Sequence, residues 1–251
     1  MGKNIWITGA STGIGKALAI KFANEGWGVA ISARRENLLL DICKLNSNIH
    51  SFPLDVANEE SAKAIFESII KKLNSIDLCV FATGIYDPND EKEINIKKMK
   101  DVMNINFFGT VNCIKAVEKN FKEKKEGHVS LVSSVAGYGG LPNSSGYGPS
   151  KAALINLAES LYFDFKKYKV RVSLISPGFI KTPMTDKNKF KMPFIKSAEF
   201  AANKIYNGLV KSNDFEITFP KELTLIMKVF KFLPYKIYFY LLSKFTKIQK
   251  R

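Results

Sequence analysis

A tyrosine and a lysine four residues apart, Tyr147 and Lys151, open a segment whose apolar residues recur at helical spacing. On a helix, residues four apart share one face, with Cβ atoms roughly 5–6 Å from each other. A phenol has an ordinary pKa of about 10, which is too high for an efficient general base at neutral pH. A neighbouring ammonium favours the phenolate and lowers that pKa. The pair therefore predicts a proton donor and acceptor, although two neighbouring surface residues would show the same spacing.

Two further polar positions accompany this pair. Ser134 lies thirteen residues before Tyr147 and directly after a predicted strand at 128–133. The carboxyl ends of parallel strands are where ligand crevices form. Asn106 and Gly109 interrupt a helical pattern, and both residue types are poor formers of a helix interior. Their presence indicates a requirement other than helix propensity.

A glycine-rich turn follows the first predicted strand, at 4–8. Such a turn before a helix lets the backbone approach a pyrophosphate, which then sits at the positive N-terminus of the helix. The spacing is Gly-x3-Gly-x-Gly rather than the general G-x-G-x-x-G, so a tight turn without a ligand is the alternative. The predicted cofactor contacts of the turn are Gly9, Ser11, Thr12, Gly13, Ile14 and Gly15.

The second predicted strand, at 28–33, ends at Ala33, and Arg34 and Arg35 follow it. A site selective for NAD places an acidic residue here, on the ribose 2′-hydroxyl. A guanidinium instead makes charge-assisted bonds to a 2′-phosphate. The sequence therefore predicts NADP(H) as the cofactor, with Arg34 carrying the selectivity together with Arg35. NAD(H) as the cofactor, or two solvated arginines at a helix start, are the alternatives.

Short apolar runs alternate with helical patterns along the chain. Strands are predicted at 4–8, 28–33, 49–53, 77–82, 128–133, 171–176 and 214–219. Helices are predicted near 14–25, 35–44, 58–73, 95–122, 147–168 and 197–211. The run 78–82 is apolar throughout, as in a parallel sheet buried on both faces. The alternation predicts an α/β fold, a Rossmann-like doubly wound parallel sheet of seven strands in one domain, 1–219, followed by a C-terminal helical extension, 220–251.

The chain is strongly basic, with 38 Lys and Arg against 23 Asp and Glu. Segment 220–251 holds eight of the basic residues and a single acid, Glu222, so it carries +7 of the formal +15. No helix-turn-helix, zinc or aromatic RNA-binding pattern accompanies the charge, which argues against nucleic acid as a partner. His50 and His128 lack metal-ligand neighbours in the sequence, so no metal is predicted. Three cysteines without a C-x-x-C pair, and the lack of an apolar leader or spanning segment, predict a cytoplasmic protein.

The extension holds two amphipathic helical patterns separated by Pro234. The first apolar stripe is Leu225, Ile226, Val229, Phe230 and Leu233, and the second is Ile237, Leu241, Phe245 and Ile248. Around the second stripe lie Lys236, Lys244, Lys247 and Lys250. Basic amphipathic helices with aromatic residues are typical of membrane interfaces. We therefore expect peripheral attachment to the inner face of an anionic membrane and a hydrophobic, lipid-like substrate. A cover over the substrate cleft or a contact with another subunit is the alternative.

The ordered motifs resemble those of the classical short-chain dehydrogenase/reductase family over roughly residues 3–219. They are Thr8-Gly9-x3-Gly13-Ile14-Gly15, Asn106 with Gly109, Ser134, Tyr147-x3-Lys151 and Pro177-Gly178. The resemblance implies a sheet with strand order 3-2-1-4-5-6-7 and reversible hydride transfer between a nicotinamide and a small-molecule carbonyl/alcohol pair. It also implies a homodimer or homotetramer through the helices that begin near Asn95 and Tyr147. A cofactor-binding sensor or scaffold without turnover is the alternative from another class.

The resemblance further implies a role for each catalytic position. Tyr147 exchanges a proton with the substrate oxygen, and Ser134 donates a hydrogen bond to that oxygen. Lys151 holds the nicotinamide ribose hydroxyls, and Asn106 anchors a water in a proton relay behind it. The implied cofactor contacts outside the glycine turn are Asp55 and Val56 at the adenine, Ala82 and Gly84 after the fourth strand, and Pro177, Gly178, Ile180 and Thr182 at the nicotinamide amide.

Two positions depart from the family's pattern. Where the family carries Asn-Asn-Ala-Gly after the fourth strand, this chain has Phe81-Ala82-Thr83-Gly84. The asparagine hydrogen bonds that tie this strand end to its neighbours are therefore missing. Position 12 is Thr12 rather than the basic residue of many NADP(H)-dependent members, which leaves the two arginines to select the cofactor.

Overall fold

The structure, a computed structural model, describes residues 2–86, 94–188 and 191–246. The strands are β1 (Asn4–Thr8), β2 (Gly28–Ser32), β3 (Ile49–Ser51), β4 (Leu78–Phe81), β5 (His128–Val132), β6 (Arg171–Pro177) and β7 (Glu216–Phe219). They form one sheet in the order β3-β2-β1-β4-β5-β6-β7, and each neighbouring pair is parallel. The predicted doubly wound sheet and its strand order are confirmed. The order reverses between β1 and β4, which is where a ligand crevice opens in such sheets.

Helices connect the strands and continue beyond β7. They are α1 (Gly13–Asn24), α2 (Glu36–Cys43), α3 (Glu59–Leu73), α4 (Ile96–Met103), α5 (Gly109–Lys124), α6 (Tyr147–Lys166), α7 (Ala198–Lys211), α8 (Lys221–Lys231) and α9 (Tyr235–Thr246). The predicted helix 95–122 is not a continuous α-helix, because a π-helical turn over Asn104–Phe108 separates α4 from α5. Such turns are rare and frequently lie at functional sites.

Two apolar cores lie on opposite faces of the sheet. Ile7 of β1 shares one core with Phe22 of α1, whereas Trp6 belongs to the other. Successive side chains of a strand point to opposite faces, which is why the apolar run of β1 is continuous rather than alternating. The Trp6 ring lies edge-on to Phe81, with 5.6 Å between ring centroids, and its indole N–H donates a 2.9 Å hydrogen bond to Ser32 Oγ. Both faces of the sheet are therefore covered, and its carboxyl edge is left to form the site.

The C-terminal helix α8 buries a different side from the one predicted. Leu225 and Val229 of the first predicted stripe are 65% and 52% exposed, whereas Leu223 and Met227 are buried in the core. The other members of that stripe, Ile226, Phe230 and Leu233, are half-buried. Apolar residues occupy more than one side of this helix, so their period predicts the helix without fixing its buried side.

The second C-terminal helix, α9, departs from the prediction in the same way. Ile237 is 47% exposed and Leu241 is half-buried, whereas Tyr238 and Leu242 are buried. Outside the described residues lie Lys247, Ile248 and Lys250, together with the side chain of Phe245. Within the part of the chain that the structure describes, no helix combines the length and apolar character needed to span a bilayer.

Met227→Ala is expected to lower the free energy of unfolding by about 2–5 kcal/mol, because it removes a buried side chain and leaves a cavity. Leu225→Ala, on the same helix, is expected to change it by less than about 0.5 kcal/mol, since this side chain faces solvent. Urea unfolding followed by circular dichroism measures both variants. The opposite ranking would show that the predicted stripe faces the core.

Candidate active site

A cleft of ≈ 310 Å³ opens at the carboxyl ends of β1, β4, β5 and β6. Its wall includes the residues predicted to contact a cofactor, Gly9, Ser11, Thr12, Gly13, Ile14, Gly15, Arg34, Arg35, Asp55, Val56, Ala82, Gly84, Pro177, Gly178, Ile180 and Thr182. Three of the predicted catalytic residues, Ser134, Tyr147 and Lys151, line it as well. The fourth, Asn106, is fully buried. Residues that are far apart in the sequence, from the turn after β1 to the segment after β6, therefore meet at one edge of the sheet.

The glycine positions of the turn have no room for a side chain. A Cβ on Gly9, whose φ is +69°, would lie 2.7 Å from the Ala82 carbonyl group, and a Cβ on Gly15 would lie 2.4 Å from the Gly9 oxygen. The turn leads into α1, whose first turn carries no acidic residue, and the Thr12 side chain makes no capping hydrogen bond there. The N–H groups at the start of a helix attract anions. The turn therefore fits the pyrophosphate of a dinucleotide.

Arg35 is the arginine that reaches this turn. Its Nη2 donates hydrogen bonds to Ser11 Oγ (2.8 Å) and Thr12 Oγ1 (3.3 Å). Arg34, on which the prediction placed the cofactor selectivity first, also lines the cleft, and both arginines are exposed. A guanidinium held against the glycine turn places a fixed positive charge beside the phosphate cradle.

Tyr147, Ser134 and Lys151 converge on the other wall. Tyr147 is the first residue of α6, and Lys151 Nζ lies 5.5 Å from the centroid of its ring. Lys151 Nζ also donates a 2.9 Å hydrogen bond to the carbonyl of Val132, the last residue of β5. Ser134 is hydrogen-bonded to Tyr147 and accepts a second bond from Ala136 N (3.1 Å). The helical spacing and the strand end thus bring all three side chains together.

The two neighbouring serines have different surroundings. Ser133 is buried, and its hydroxyl donates a 2.7 Å hydrogen bond to the backbone carbonyl of Lys151. That bond fastens the end of β5 to α6 and occupies the hydroxyl proton. Ser134 is the serine bonded to Tyr147, as its thirteen-residue spacing from the tyrosine predicts.

The π-helical turn places the amide of Asn106 between α6 and the segment after β4. Its Oδ1 accepts a 2.7 Å hydrogen bond from Ile85 N, and its Nδ2 donates to Ile85 O (3.1 Å) and Ser150 Oγ (3.0 Å). These bonds hold the end of β4, where the sequence lacks the family's asparagines. Thr83 Oγ1, at that strand end, is buried without a hydrogen-bond partner among the described residues. The described contacts make Asn106 a positioning residue.

Burial sets the proton affinity of the two titratable groups. Loss of hydration lowers the pKa of Lys151 to about 8 and raises the pKa of Tyr147 to about 12, against the lowering effect of the Ser134 hydrogen bond. The prediction that Lys151 lowers the tyrosine pKa is wrong for this structure. Loss of hydration of the phenolate is the largest effect on the pKa of Tyr147, and the Lys151 ammonium is bonded to Val132 O. At neutral pH Tyr147 keeps its proton, which suits a proton donor.

Sequence reasoning did not single out Tyr86 or Thr185. The Tyr86 ring lies 4.9 Å from the Tyr147 ring, centroid to centroid, so it contacts the predicted proton donor. Thr185 donates a 2.6 Å hydrogen bond to Ile180 O and accepts one of 3.0 Å from Thr182 N, so it shapes the segment after β6. Neither residue lies in a recognisable motif, and no periodic signal marks them. In the described ranges, no group of three or more His, Cys, Asp and Glu side chains could hold a metal ion.

The buried ammonium predicts a pH-dependent stability. The pKa of Lys151 falls from 10.5 in the unfolded chain to about 8 in the folded one, so between these values the folded protein binds fewer protons. Stability therefore rises with pH across this window. Relative to Lys151→Met, the wild type is expected to gain up to about 3 kcal/mol between pH 8 and pH 10.5. Urea unfolding at several pH values measures this, and parallel profiles for the two proteins would contradict it.

Comparison with known proteins gives the same assignment as the geometry. Residues 3–192 match the family model described as short chain dehydrogenase. An uncharacterized oxidoreductase of Myxococcus xanthus is 31% identical over 91% of both chains. The 3-oxoacyl-acyl-carrier-protein reductase FabG of Thermotoga maritima is 32% identical, over 74% of this chain and 77% of that protein.

Solved structures share the fold. ElxO with NADP bound has a TM-score of 0.77 and 28% identity, over 87% of this chain and 98% of its own. A short-chain dehydrogenase from Streptomyces avermitilis has a TM-score of 0.83 over 100% of this chain and 98% of its own, and its 20% identity supports the fold alone. The family model and the M. xanthus relative show that this chain belongs to the short-chain dehydrogenase/reductase family of NAD(P)-dependent oxidoreductases.

Proposed function

We propose that this protein is an NADP(H)-dependent reductase that interconverts a hydrophobic carbonyl compound and its alcohol. The observation that carries the proposal is the convergence of Tyr147, Ser134 and Lys151 in a cleft that the glycine turn also lines. When bound, the nicotinamide supplies or accepts the hydride. The chain itself binds and orients the reactants and moves the proton.

Tyr147 provides the proton. Its raised pKa of about 12 keeps the phenol protonated at neutral pH, so it donates to the carbonyl oxygen during reduction and recovers the proton during oxidation. Ser134, already hydrogen-bonded to Tyr147, donates to the same oxygen and stabilises the charge that develops there. The two hydroxyls therefore act on one substrate atom.

Lys151 orients the cofactor. An ammonium has three N–H donors, and one of them is directed at Val132 O. The others are available to the hydroxyls of the nicotinamide ribose. Asn106 fixes the start of α6 through Ser150 and the segment after β4 through Ile85, so it positions Lys151 instead of contacting the reactants. A water held near this amide would continue the proton path.

The charge beside the glycine turn supports NADP(H) as the cofactor. Arg34 and Arg35 follow β2 where an NAD-selective site carries an acid, and Arg35 is held against Ser11 and Thr12. A guanidinium binds a 2′-phosphate through charge-assisted bonds. ElxO, a relative at 28% identity, has been solved with NADP bound. NAD(H) is the alternative cofactor.

The lining beyond the catalytic groups supports a hydrophobic substrate. Ile85, Ile105 and Met184 line the cleft, and the Tyr86 ring contacts the Tyr147 ring. These side chains offer few polar partners, so they favour a ligand with an apolar body. We infer that the substrate is a ketone or aldehyde on an aliphatic or lipid-like chain.

Exposed aromatic side chains support a homodimer or homotetramer through α4, α5 and α6. Phe108, at the end of the π-helical turn, and Tyr162 and Phe163 on α6 are exposed. Tyr162 and Phe163 are in ring contact, and clustered exposed apolar side chains favour a contact surface. The helices are those that begin near Asn95 and at Tyr147, and we propose a cytoplasmic location for the assembly.

Tyr147→Phe is expected to lower the rate of NADPH-dependent ketone reduction by about 10²–10⁴-fold while leaving NADPH binding unchanged, because only the proton donor is removed. Tyr162→Phe, which removes a phenol hydroxyl from an exposed position of the same helix, is the matched control and should keep the rate. Loss of NADPH absorbance with a panel of medium-chain ketones and aldehydes measures both. Equal rates for Tyr147→Phe and wild type would overturn the assignment.

NADPH is expected to bind more tightly than NADH, and Arg35→Ala is expected to weaken NADPH binding about 10–100-fold while sparing NADH. Arg34→Ala, tested in parallel, should have the smaller effect, since Arg35 is the residue held at the turn. Fluorescence titration of the three purified proteins with NADPH and with NADH measures the six dissociation constants. A preference for NADH would contradict the selection of NADP(H) by the arginines, but not the proposed reductase activity. Binding of both cofactors without turnover of any carbonyl compound would favour a sensor or scaffold.

A further inference from the structure

Helices α8 and α9 present an apolar surface to solvent. Its members, here called the C-terminal apolar surface, are Leu225, Val229, Phe232, Tyr235, Ile237, Phe239 and Tyr240, and they are 47–86% exposed. Tyr235 and Phe239 lie one turn apart, with stacked rings 5.7 Å between centroids. Large exposed apolar patches mark interaction sites in proteins that fold in water. This surface therefore requires an occupant.

The same helices carry a strong positive charge. Lys221, Lys231, Lys236 and Lys244 are exposed. Glu222 is the only acidic residue of segment 220–251, which carries eight Lys and Arg and a net +7. Lys228 is engaged by Glu216 of β7. An occupant of the C-terminal apolar surface must accept aromatic and aliphatic side chains beside several exposed lysines.

Charge decides between the candidate occupants. A second copy of this surface would bring two segments of +7 together, and like charges in an interface are unfavourable. An anionic bilayer attracts basic residues near its surface and takes up apolar side chains at the boundary between headgroups and acyl chains. Tyrosine is enriched at that boundary, because its ring is apolar and its hydroxyl polar. The surface therefore fits anionic lipid.

The buried side of these helices is attached to the cleft. Leu223 of α8 lies against Gly178, where a Cβ would come within 2.7 Å of its Cδ2. Tyr238 of α9 donates a 2.7 Å hydrogen bond to Gly140 O, six residues after Ser134. Both Gly178 and Ser134 line the cleft. The helices that carry the apolar surface therefore also build the surroundings of the site.

A half-buried carboxylate strengthens this attachment. Glu216 accepts hydrogen bonds from Tyr138 (2.5 Å) and Ser176 (2.7 Å) through Oε1 and pairs with Lys228 through Oε2. Despite its burial, these donors hold the Glu216 pKa below its ordinary value, so it is ionised at neutral pH. One carboxylate thus joins α8, the end of β6 and the segment that follows Ser134.

We propose that the C-terminal apolar surface docks on an anionic lipid bilayer and that the cleft takes a carbonyl or alcohol borne on a membrane-partitioned hydrophobic chain. The docking stands on the exposed side chains and charge of α8 and α9 alone. The substrate class rests on the proposed function. Leu223 of α8 contacts Gly178 of the cleft wall, so docking through α8 and α9 would bring the bilayer close to the site.

Co-sedimentation of the full chain with vesicles tests the docking. The wild type is expected to pellet with phosphatidylcholine vesicles that contain phosphatidylglycerol, and only weakly with phosphatidylcholine alone. Leu225→Ser and Phe232→Ser remove apolar contact, and Lys231→Gln with Lys236→Gln removes charge; each change is expected to lower the partition coefficient about tenfold.

Matched controls keep this test specific. Leu45→Ser alters a leucine that is 59% exposed, compared with 65% for Leu225, and Lys63→Gln with Lys71→Gln removes two exposed lysines from α3. The controls should pellet like the wild type. Equal losses in the control and test variants, or no pelleting with any vesicle, would overturn the docking.

Cofactor and substrate measurements separate the two proposals. NADPH affinity should be the same in all these variants, which also shows that they are folded. A long-chain ketone delivered in anionic vesicles should show a KM raised about tenfold in Phe232→Ser, with kcat unchanged, since only access to substrate is impaired. Vesicle binding without NADPH binding would contradict the proposed function alone. An unchanged KM in Phe232→Ser, together with turnover of soluble ketones, would contradict the membrane-borne substrate alone.

Discussion

The site depends on an ammonium group buried at the carboxyl end of β5. The Lys151 ammonium is held at this position by a hydrogen bond to Val132 O and by the start of α6, which carries it to the strand end. The same helix start places Tyr147 over the cleft, and Ser133 fastens the helix to the strand through Lys151 O. Burial makes the charge costly, as the pKa of about 8 shows, and leaves the ammonium suited to a polyhydroxyl ligand. The positions of the neighbouring groups follow from that placement.

The opposite wall depends on close backbone approach. Gly9 allows the turn after β1 to touch the segment after β4, and Gly15 allows the start of α1 to lie against Gly9 O; a Cβ at either position would clash. Asn106 then binds Ile85, just beyond that segment, and Ser150 of α6, so one amide connects the two walls. The π-helical turn is what carries this side chain inward from a helix that would otherwise be regular. The turn after β1, the segment after β4 and the start of α6 are thus connected by direct contacts.

The fold and most of the site could be predicted from sequence because their signals are local. The glycine turn, the pair formed by Tyr147 and Lys151, and the apolar strands are each read within a few residues. What could not be predicted depends on residues distant in the chain. Burial sets the pKa of Tyr147, and packing on the core decides which side of α8 is buried. Arg35 rather than Arg34 contacts the glycine turn, because its guanidinium reaches Ser11. Tyr86 lies sixty-one residues before Tyr147, and only the fold brings the two rings together.

The central claim is that the cleft brings a nicotinamide and a carbonyl carbon together for hydride transfer while Tyr147 supplies the proton. The most direct measurement is mass spectrometry of alcohols formed when the protein is incubated with NADPH dideuterated at C4 of the nicotinamide and a panel of hydrophobic ketones. We expect one deuterium on the carbinol carbon and none on the hydroxyl oxygen, whose proton comes from solvent through Tyr147. NADPH binding without deuterium in any alcohol would contradict it.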